Sequence, residues 1–371
     1  MKNSFGNNIQ VTLFGESHGE AIGVVIDGLA AGLALDLDHV QKRMAQRQAK
    51  GRISTQRHEP DAIRIVSGWF EGHTTGTPLT ILIENTNTRS KDYERTRYRL
   101  RPSHADYTAF AKYDGFQDFR GGGHFSGRLT APIVAAGAIA QQLLEQNGVF
   151  IGSHILRCHS ESDHPFATDE PTLKEQILRL NDLDFPVLDE ESAGRIHAVM
   201  EAAANDGDSV GGIIESAVVG LPAGIGEPFF DSIESVLSHL LFSVPAVKGV
   251  QFGLGFDFAS YYGSQVNDAF CVQDGQIRTV TNHNGGINGG ISNGMPIRFQ
   301  CVIKPTASIF KEQDTVDYQT KEPVRLQIQG RHDPAILHRA RVVIDSVTAL
   351  GLLDLCCTNQ AYQGMKKGEC Q

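Results

Sequence analysis

The 371-residue chain has no hydrophobic run reaching the roughly 20 residues that a membrane-spanning helix needs. Its opening residues, Met1-Lys2-Asn3-Ser4-Phe5-Gly6, lack the apolar core of a secretory signal. Positive charge is in deficit: 33 Lys and Arg against 43 Asp and Glu give a net charge of −10. That balance argues against general affinity for nucleic acid or for an acidic membrane surface. The six cysteines, Cys158, Cys271, Cys301, Cys356, Cys357 and Cys370, show no Cys-x-x-Cys spacing. A disulfide framework and a zinc site are therefore not expected; reduced thiols in a cytoplasm are. Hydrophobic residues at 40% and charged residues at 20% describe an ordinary globular protein.

Glycine is not scarce, and its clusters carry the chemistry. Arg120-Gly121-Gly122-Gly123-His124-Phe125-Ser126-Gly127-Arg128 precedes an Ala-rich segment, Leu129 to Leu144, whose composition predicts a helix. Three successive glycines reach backbone angles closed to other residues. A helix start behind them offers unpaired N–H groups to an anion, and Pro132 suits the first turn. A connecting loop is the plainer alternative. Two arginines, a histidine and a serine on one loop favour an anion cradle.

Val11 to Phe14 and Ala21 to Asp27 pattern as strands around Gly15-Glu16-Ser17-His18-Gly19, a tight turn that presents Ser17 and His18 together. Histidine exchanges a proton near neutral pH, although an isolated Ser-His more often faces water. Asp38 to Gln48 reads as a helix. From Gln41 to His58 there are six basic residues and no acidic one, either a solvated face or cations for an anionic substrate. Strands follow at Ala62 to Val66 and Leu79 to Glu84. The polar, arginine-rich segment Asn85 to Pro102 then ends in Arg101-Pro102-Ser103-His104-Ala105-Asp106.

The acidic stretch Cys158 to Asp208, with helices expected at Pro171 to Leu180 and Glu190 to Ala204, shows no chemistry and reads as surface and assembly. Ile213 to Val219 reads as a strand and Phe229 to Leu241 as an amphipathic helix. Asn282 to Gly294 is a second glycine-rich loop that lacks both P-loop spacing and the strand–G-x-G-x-x-G–helix context. A strand from Pro296 to Ile303 runs into Lys304-Pro305-Thr306-Ala307-Ser308. Gly330-Arg331-His332-Asp333-Pro334 precedes a helix from Ala335 to Leu355, where Asp333 suits an N-cap. Two echoes, Gly28-Leu29-Ala30-Ala31-Gly32 with Gly220-Leu221-Pro222-Ala223-Gly224 and Gly76-Thr77-Pro78 with Gly294-Met295-Pro296, point to an internal duplication.

In combination, Gly15 to Gly19, Arg101 to Asp106, Arg120 to Arg128, Asn282 to Gly294, Lys304-Pro305-Thr306 and Arg331 to Pro334 resemble the chorismate synthase family along nearly the whole chain. The resemblance implies a single domain over residues 1–371. Its α+β fold is a β-α-β sandwich of antiparallel sheets with helices, and it assembles as a homotetramer. It implies anti-1,4-elimination of phosphate from 5-enolpyruvylshikimate 3-phosphate to give chorismate, with reduced FMN required but not consumed. NADPH is the expected source of reducing equivalents, delivered by a separate flavin reductase. By resemblance His18 protonates the departing phosphate and His104 lies near the flavin. Asp333, with Ser17 and Ser126, helps carry away the ring proton by way of the flavin. Flavin contacts carry over to His124, Phe125, Ser126, Pro245, Ala246, Gly289, Lys304, Pro305, Thr306, Ala307, Ser308 and Arg331. Arg47, Arg52 and Arg128 would meet substrate or NADP; no metal is implied.

The chain departs from the family pattern at His124-Phe125, at Pro245, and at Asp345 where a glutamate is usual. Two other classes of function bear comparison. A flavin- or nucleotide-binding module without chemistry would have no need of His18, His104 and Asp333 together. An RNA-binding protein would show strongly salt-dependent association, at odds with the net charge.

Overall fold

The computed structural model of the protein describes residues 2–49, 51, 53–54, 60–86, 97–328 and 332–367. Strand formation follows the period-two pattern. In Leu79–Glu84, Leu79, Ile81 and Ile83 are buried while the residues between them are half-buried. Among the described residues, five strands make one antiparallel sheet in the order Ser4–Phe5, Gln10–Gly15, Ala21–Asp27, Leu79–Glu84, Ile63–Ser67. Five more make a second, in the order Glu161–Ser162, Phe150–Cys158, Gly212–Val219, Ile297–Ile303, Val247–Phe252.

Set side by side, the two orders agree over their last four strands and differ at the first edge, where Ser4–Phe5 precedes its neighbour in the chain and Glu161–Ser162 follows its own. Each half has a helix before its last-placed edge strand, Leu37–Arg47 in one and Ile233–Ser243 in the other. Each half also sends a long helix out after its penultimate strand in that order, Thr130–Gln146 and Leu337–Lys367. These helices form the middle layer. Thr130–Gln146 packs on Ala21–Asp27 and Leu79–Glu84 of the first sheet, on Phe150–Cys158 of the second, and on Leu337–Lys367. Gly137 is what lets the two long helices meet, because a Cβ there would overlap Ser346. The expected duplication and sandwich of antiparallel sheets are both present. No described helix is long and apolar enough to cross a membrane.

Three expectations change. The stretch from Cys158 to Asp208 is more than surface. Asp169 and Asp189 accept hydrogen bonds from the Thr172 and Ser192 amides as N-caps of Glu170–Leu180 and Glu190–Asn205. Leu173, Ile177 and Leu180 then pack on the second sheet, while Ile196 and Met200 enter the main core. The helix expected from Phe229 is a short 3-10 turn, Phe229–Asp231, broken by extended Ser232, which caps Ile233–Ser243 instead. The last helix begins at Leu337, so Asp333 is not its cap.

Candidate functional site

The His18 turn is built by both neighbouring strands. Gly15 ends Gln10–Gly15 with φ +96°, and Gly19 N–H donates to Glu16 O at 3.0 Å. Asn85, at the exit of Leu79–Glu84, donates through Nδ2 to Glu16 O and Gly19 O, both at 3.0 Å. Ser17 and His18 are buried, with Ser17 Oγ 3.2 Å from His18 Nδ1. The glycine run lies against them. Gly121, Gly122 and Gly123 take φ of +59°, +88° and +53°, and a Cβ on Gly121 would fall on the His18 imidazole. Ser17 N–H donates to Gly123 O at 3.1 Å, and Ser17 Oγ donates to Gly121 O at 3.1 Å.

The run itself is two 3-10 turns, Arg120–Phe125 and Gly127–Leu129, and the helix starts at Thr130. His124 Nδ1 lies 2.8 Å from Gly15 O, which can only accept, so that nitrogen carries a hydrogen. Phe125 is exposed and sits edge-on to Tyr113. Ser126 Oγ accepts from Arg128 N–H at 3.3 Å. The two bracketing arginines are already engaged. Arg120 is held by both oxygens of Asp118 at 2.8 and 2.7 Å, and Arg128 reaches Asp61 Oδ1, Asn85 Oδ1 and Glu84 O.

Arg47 joins the same buried group. Its Nη2 is 2.7 Å from Asp61 Oδ2 and its Nη1 is 3.3 Å from Thr130 Oγ1. Burial alone would lift the Asp61 carboxyl; the guanidiniums of Arg47 and Arg128 outweigh it and hold the group below the usual carboxylate range. Burial pushes the Arg47 guanidinium down, and Asp61 opposes that shift. Arg339 extends the group: Nε donates to Arg47 O at 2.8 Å, and Nη1 lies 2.8 and 2.7 Å from the two oxygens of Asp333.

A second group forms where strand Ile297–Ile303 ends. His104 Nε2 is 2.8 Å from Ser308 Oγ and its Nδ1 is 3.1 Å from Pro102 O. Burial first, then the positive charge of Arg101, lowers the His104 pKa. Lys304 Nζ donates to Ser103 O at 3.0 Å and to Ser103 Oγ at 2.6 Å. Burial and the neighbouring Lys248 ammonium push Lys304 down. Lys304 N–H donates to the carbonyl of Ala246, a non-glycine residue at φ +76° that follows Pro245. Pro305, Thr306 and Ala307 continue the loop to Ser308. Thr306 Oγ1 is buried without a hydrogen-bond partner among the described residues. His332 ties the groups together: beyond burial and its bond to Ile328, its pKa feels both Asp333 and Arg101.

Gly289 does not join either group within the chain. It turns between Ile287–Asn288 and Ile291–Ser292, beside the start of helix Ile233–Ser243, where Ile233 N–H meets Gly290 O at 3.0 Å. Lys304 lies at the other end of a seven-residue strand, a rise of about 20 Å. Arg52 and Arg331 lie outside the described residues. Asp61, Asn85 and Arg339 were not singled out from sequence, and no spacing signal marks them. Most of their partners are distant in the chain: Asn85 bonds Arg128 43 residues on, Asp61 bonds Arg128 67 residues on, and Arg339 bonds Arg47 292 residues back.

The family model for chorismate synthase matches residues 9–357. A chorismate synthase of Dehalococcoides mccartyi is 43% identical over 356 residues, covering 96% of each chain. One from Thermococcus gammatolerans is 41% identical over 366 residues, covering 97% of this chain and 99% of that one. A crystal structure of chorismate synthase is similar with a TM-score of 0.74 and 25% identity, covering 95% of this chain and 92% of the other. Its sheets, its buried Ser17-His18 turn under the glycine run and these full-length likenesses agree, and the chain belongs to the chorismate synthase family.

Proposed function

We propose that this chain, by family a chorismate-forming lyase of the shikimate pathway, performs the 1,4-elimination with His18 and Asp333 as its proton-handling groups and reduced FMN as its cofactor. The observation that carries the assignment is the Ser17–His18 pair buried beneath the glycine run. With the Ser17 hydroxyl donating to the Gly121 or Arg120 carbonyl, its oxygen accepts from His18 Nδ1, so His18 acts as the imidazolium when Nε2 gives up a proton. His18 delivers that proton to the departing phosphate. Asp333 offers a carboxylate held in place by Arg339 for the proton lost from the ring. Arg47 and Arg128 share one carboxylate, so their cluster keeps one net positive charge for the anionic substrate. Arg52 and Arg331 add further cations to this reading.

The residues fit a flavin. The unpartnered Thr306 hydroxyl and the Lys304 ammonium, lowered by burial and by Lys248, both suit an anionic, hydrogen-bonding ligand. His124, Phe125, Ser126, Pro245, Ala246, Lys304 to Ser308 and Arg331 would hold it, with His104 beside it. When bound, reduced FMN supplies electron density to the substrate ring as phosphate leaves and recovers it as the proton is lost. This chain's residues orient substrate and cofactor and keep the two protons apart.

The reducing equivalents come from NADPH through a separate reductase, and the protein works in the cytoplasm, in keeping with five free thiols among the described cysteines. We take it to be a homotetramer. Support comes from the hairpin Phe270–Gln273/Gln276–Thr279, where Phe270, Val272 and Ile277 share a face and are 69%, 75% and 71% exposed. An isolated two-stranded hairpin is marginal in water and gains from being covered. If Gly289 contacts flavin, a second copy must bring it there. The relatives described above are all named for the enzyme, and nothing supports a binding module without chemistry.

The test is anaerobic incubation of purified protein with FMN and 5-enolpyruvylshikimate 3-phosphate, with dithionite or with NADPH alone. Chorismate and phosphate should appear in equal amounts with dithionite and not with NADPH alone. No chorismate with dithionite would reject the function.

A further inference from the structure

Asn85, Asp61 and Arg339 join the two ends of the proposed chemistry. Asn85 Nδ2 pins the carbonyls of Glu16 and Gly19 on either side of His18, and its Oδ1 accepts from Arg128 Nε at 3.1 Å. Arg128 bonds Asp61 Oδ1, while Asp61 Oδ2 takes Arg47 Nη2 at 2.7 Å. The Arg47 carbonyl receives Arg339 Nε at 2.8 Å, and Arg339 grips both oxygens of Asp333. A series of hydrogen bonds, bridged by the body of Arg47 itself, thus runs from the turn of the proposed proton donor to the Asp333 carboxylate.

We propose that Asp61 is the central positioning residue of this series, holding the His18 turn and Asp333 at a fixed separation without touching either. The inference rests on the roles given above to His18 and Asp333. Asp61 uses one oxygen for each arginine, so the two guanidiniums are set by a single rigid carboxylate. It is buried, and it holds φ +46°, a backbone conformation that costs energy in a non-glycine residue and persists only when its surroundings enforce it. Charge and position make opposite demands here. A carboxylate between two arginines read above as cations for substrate weakens anion binding, so binding alone would favour its absence; alignment of reacting groups favours its presence.

Asp61→Asn and Asn85→Ala test this in the full-length protein. In Asp61→Asn, kcat should fall about 100-fold, as for reacting groups misplaced by about 1 Å, while KM for the anionic substrate stays level or drops. Hydrogen exchange should quicken at the amides of residues 15–19, which Asp61 does not contact. Asn85→Ala leaves the arginine–carboxylate cluster intact and should reproduce both effects more weakly. The double variant should be no slower than Asp61→Asn, since both cut one series. A rise in KM with kcat unchanged, or unaltered exchange at residues 15–19 in the folded variants, would overturn the proposal. Should Asp61→Asn fail to fold, Asp61→Glu, which keeps the charge and moves the carboxylate, decides by the same two readings. Wild-type protein that forms no chorismate would sink the proposed function, and the exchange data would still decide whether Asp61 holds the His18 turn.

Discussion

Thr74 and Ser292 make the same hydrogen bonds in the two halves of the chain. Thr74 Oγ1 donates to Ala30 O at 2.6 Å and accepts from Leu33 N–H at 2.9 Å; Ser292 Oγ donates to Pro222 O at 2.6 Å and accepts from Ile225 N–H at 2.9 Å. Their carbonyls receive Gly32 N–H at 2.8 Å and Gly224 N–H at 2.9 Å. The echoed glycines mark this corner, with φ of +92° and +81° at Gly28 and Gly220 and +79° and +87° at Gly76 and Gly294. What stayed alike in the two halves is the corner away from the chemistry. At the opposite strand ends the halves differ: one exits into Asn85 and the other into Lys304.

Each corner hydroxyl should therefore matter to stability. Ser292→Ala removes both bonds and leaves the buried Ile225 amide unpaired, while the Pro222 carbonyl turns to solvent. A loss of about 1–3 kcal/mol is expected, and Thr74→Val should cost a similar amount. Denaturant midpoints at constant slope would measure both, and an unchanged midpoint in either variant would contradict the equivalence.

Gly121→Ala should sharply slow turnover while leaving the protein folded. The new methyl would occupy the place of the His18 imidazole, and φ +59° strains any L-residue there. The expected loss in kcat is about 100-fold or more, through a displaced proton donor. Gly194→Ala is the counterpart. That glycine lies inside helix Glu190–Asn205 with no atom near a new Cβ, and it should gain about 1 kcal/mol at unaltered turnover.

Strands Ala21–Asp27 and Leu79–Glu84 were readable to the residue, because a β-branched run bounded by turns marks the first and alternation marks the second, both local signals. The helix Glu190–Asn205 was readable from its apolar spacing. The polar scaffold of the site was not. Arg43 and Arg47 sit on one short helix, and sequence offered either a solvated face or substrate cations. The solvated face is excluded for both, which are buried and paired, Arg43 with Asp345 at 2.6 Å and Arg47 with Asp61 at 2.7 Å. Asp345, which stands where a glutamate is usual, is fully buried between Arg43, Arg341 and Ser153. Pairing across 302 residues leaves no periodicity to read.

His104 should set an acid limit on turnover. Burial and then Arg101 lower its pKa from the ordinary value near 6.5, so the folded protein holds it neutral at pH 7. Activity that needs neutral His104 should decline only as pH falls below 6.5. Ser308→Ala removes the 2.8 Å partner of its Nε2 and should lower kcat, by about tenfold if the bond is worth about 1.4 kcal/mol. A profile whose acid limb lies above pH 6.5 would contradict this placement.

His154 predicts the opposite pH dependence, in stability and not in turnover. Its Nδ1 lies 3.0 Å from Asp163 Oδ2 and its Nε2 lies 2.9 Å from Glu215 Oε2. Two acceptors on two ring nitrogens call for two hydrogens, and so for the imidazolium. Burial opposes that charge, but the bonds to Asp163 and Glu215 win and raise the pKa above 6.5. A histidine with a raised folded pKa contributes stability that is fully present below its unfolded value and fades as pH rises through the folded one. Thermal midpoints should therefore fall on the alkaline side of that window. The same carboxylates receive the Phe166 and Leu188 amides, so the loosening should begin where the acidic segment meets the second sheet. His154→Ala would strand two buried carboxylates and should cost about 3–5 kcal/mol at pH 6, with a smaller penalty at high pH, where the wild-type protein has already lost the charge. An equal penalty at both pH values would show that the ring is neutral in the folded protein.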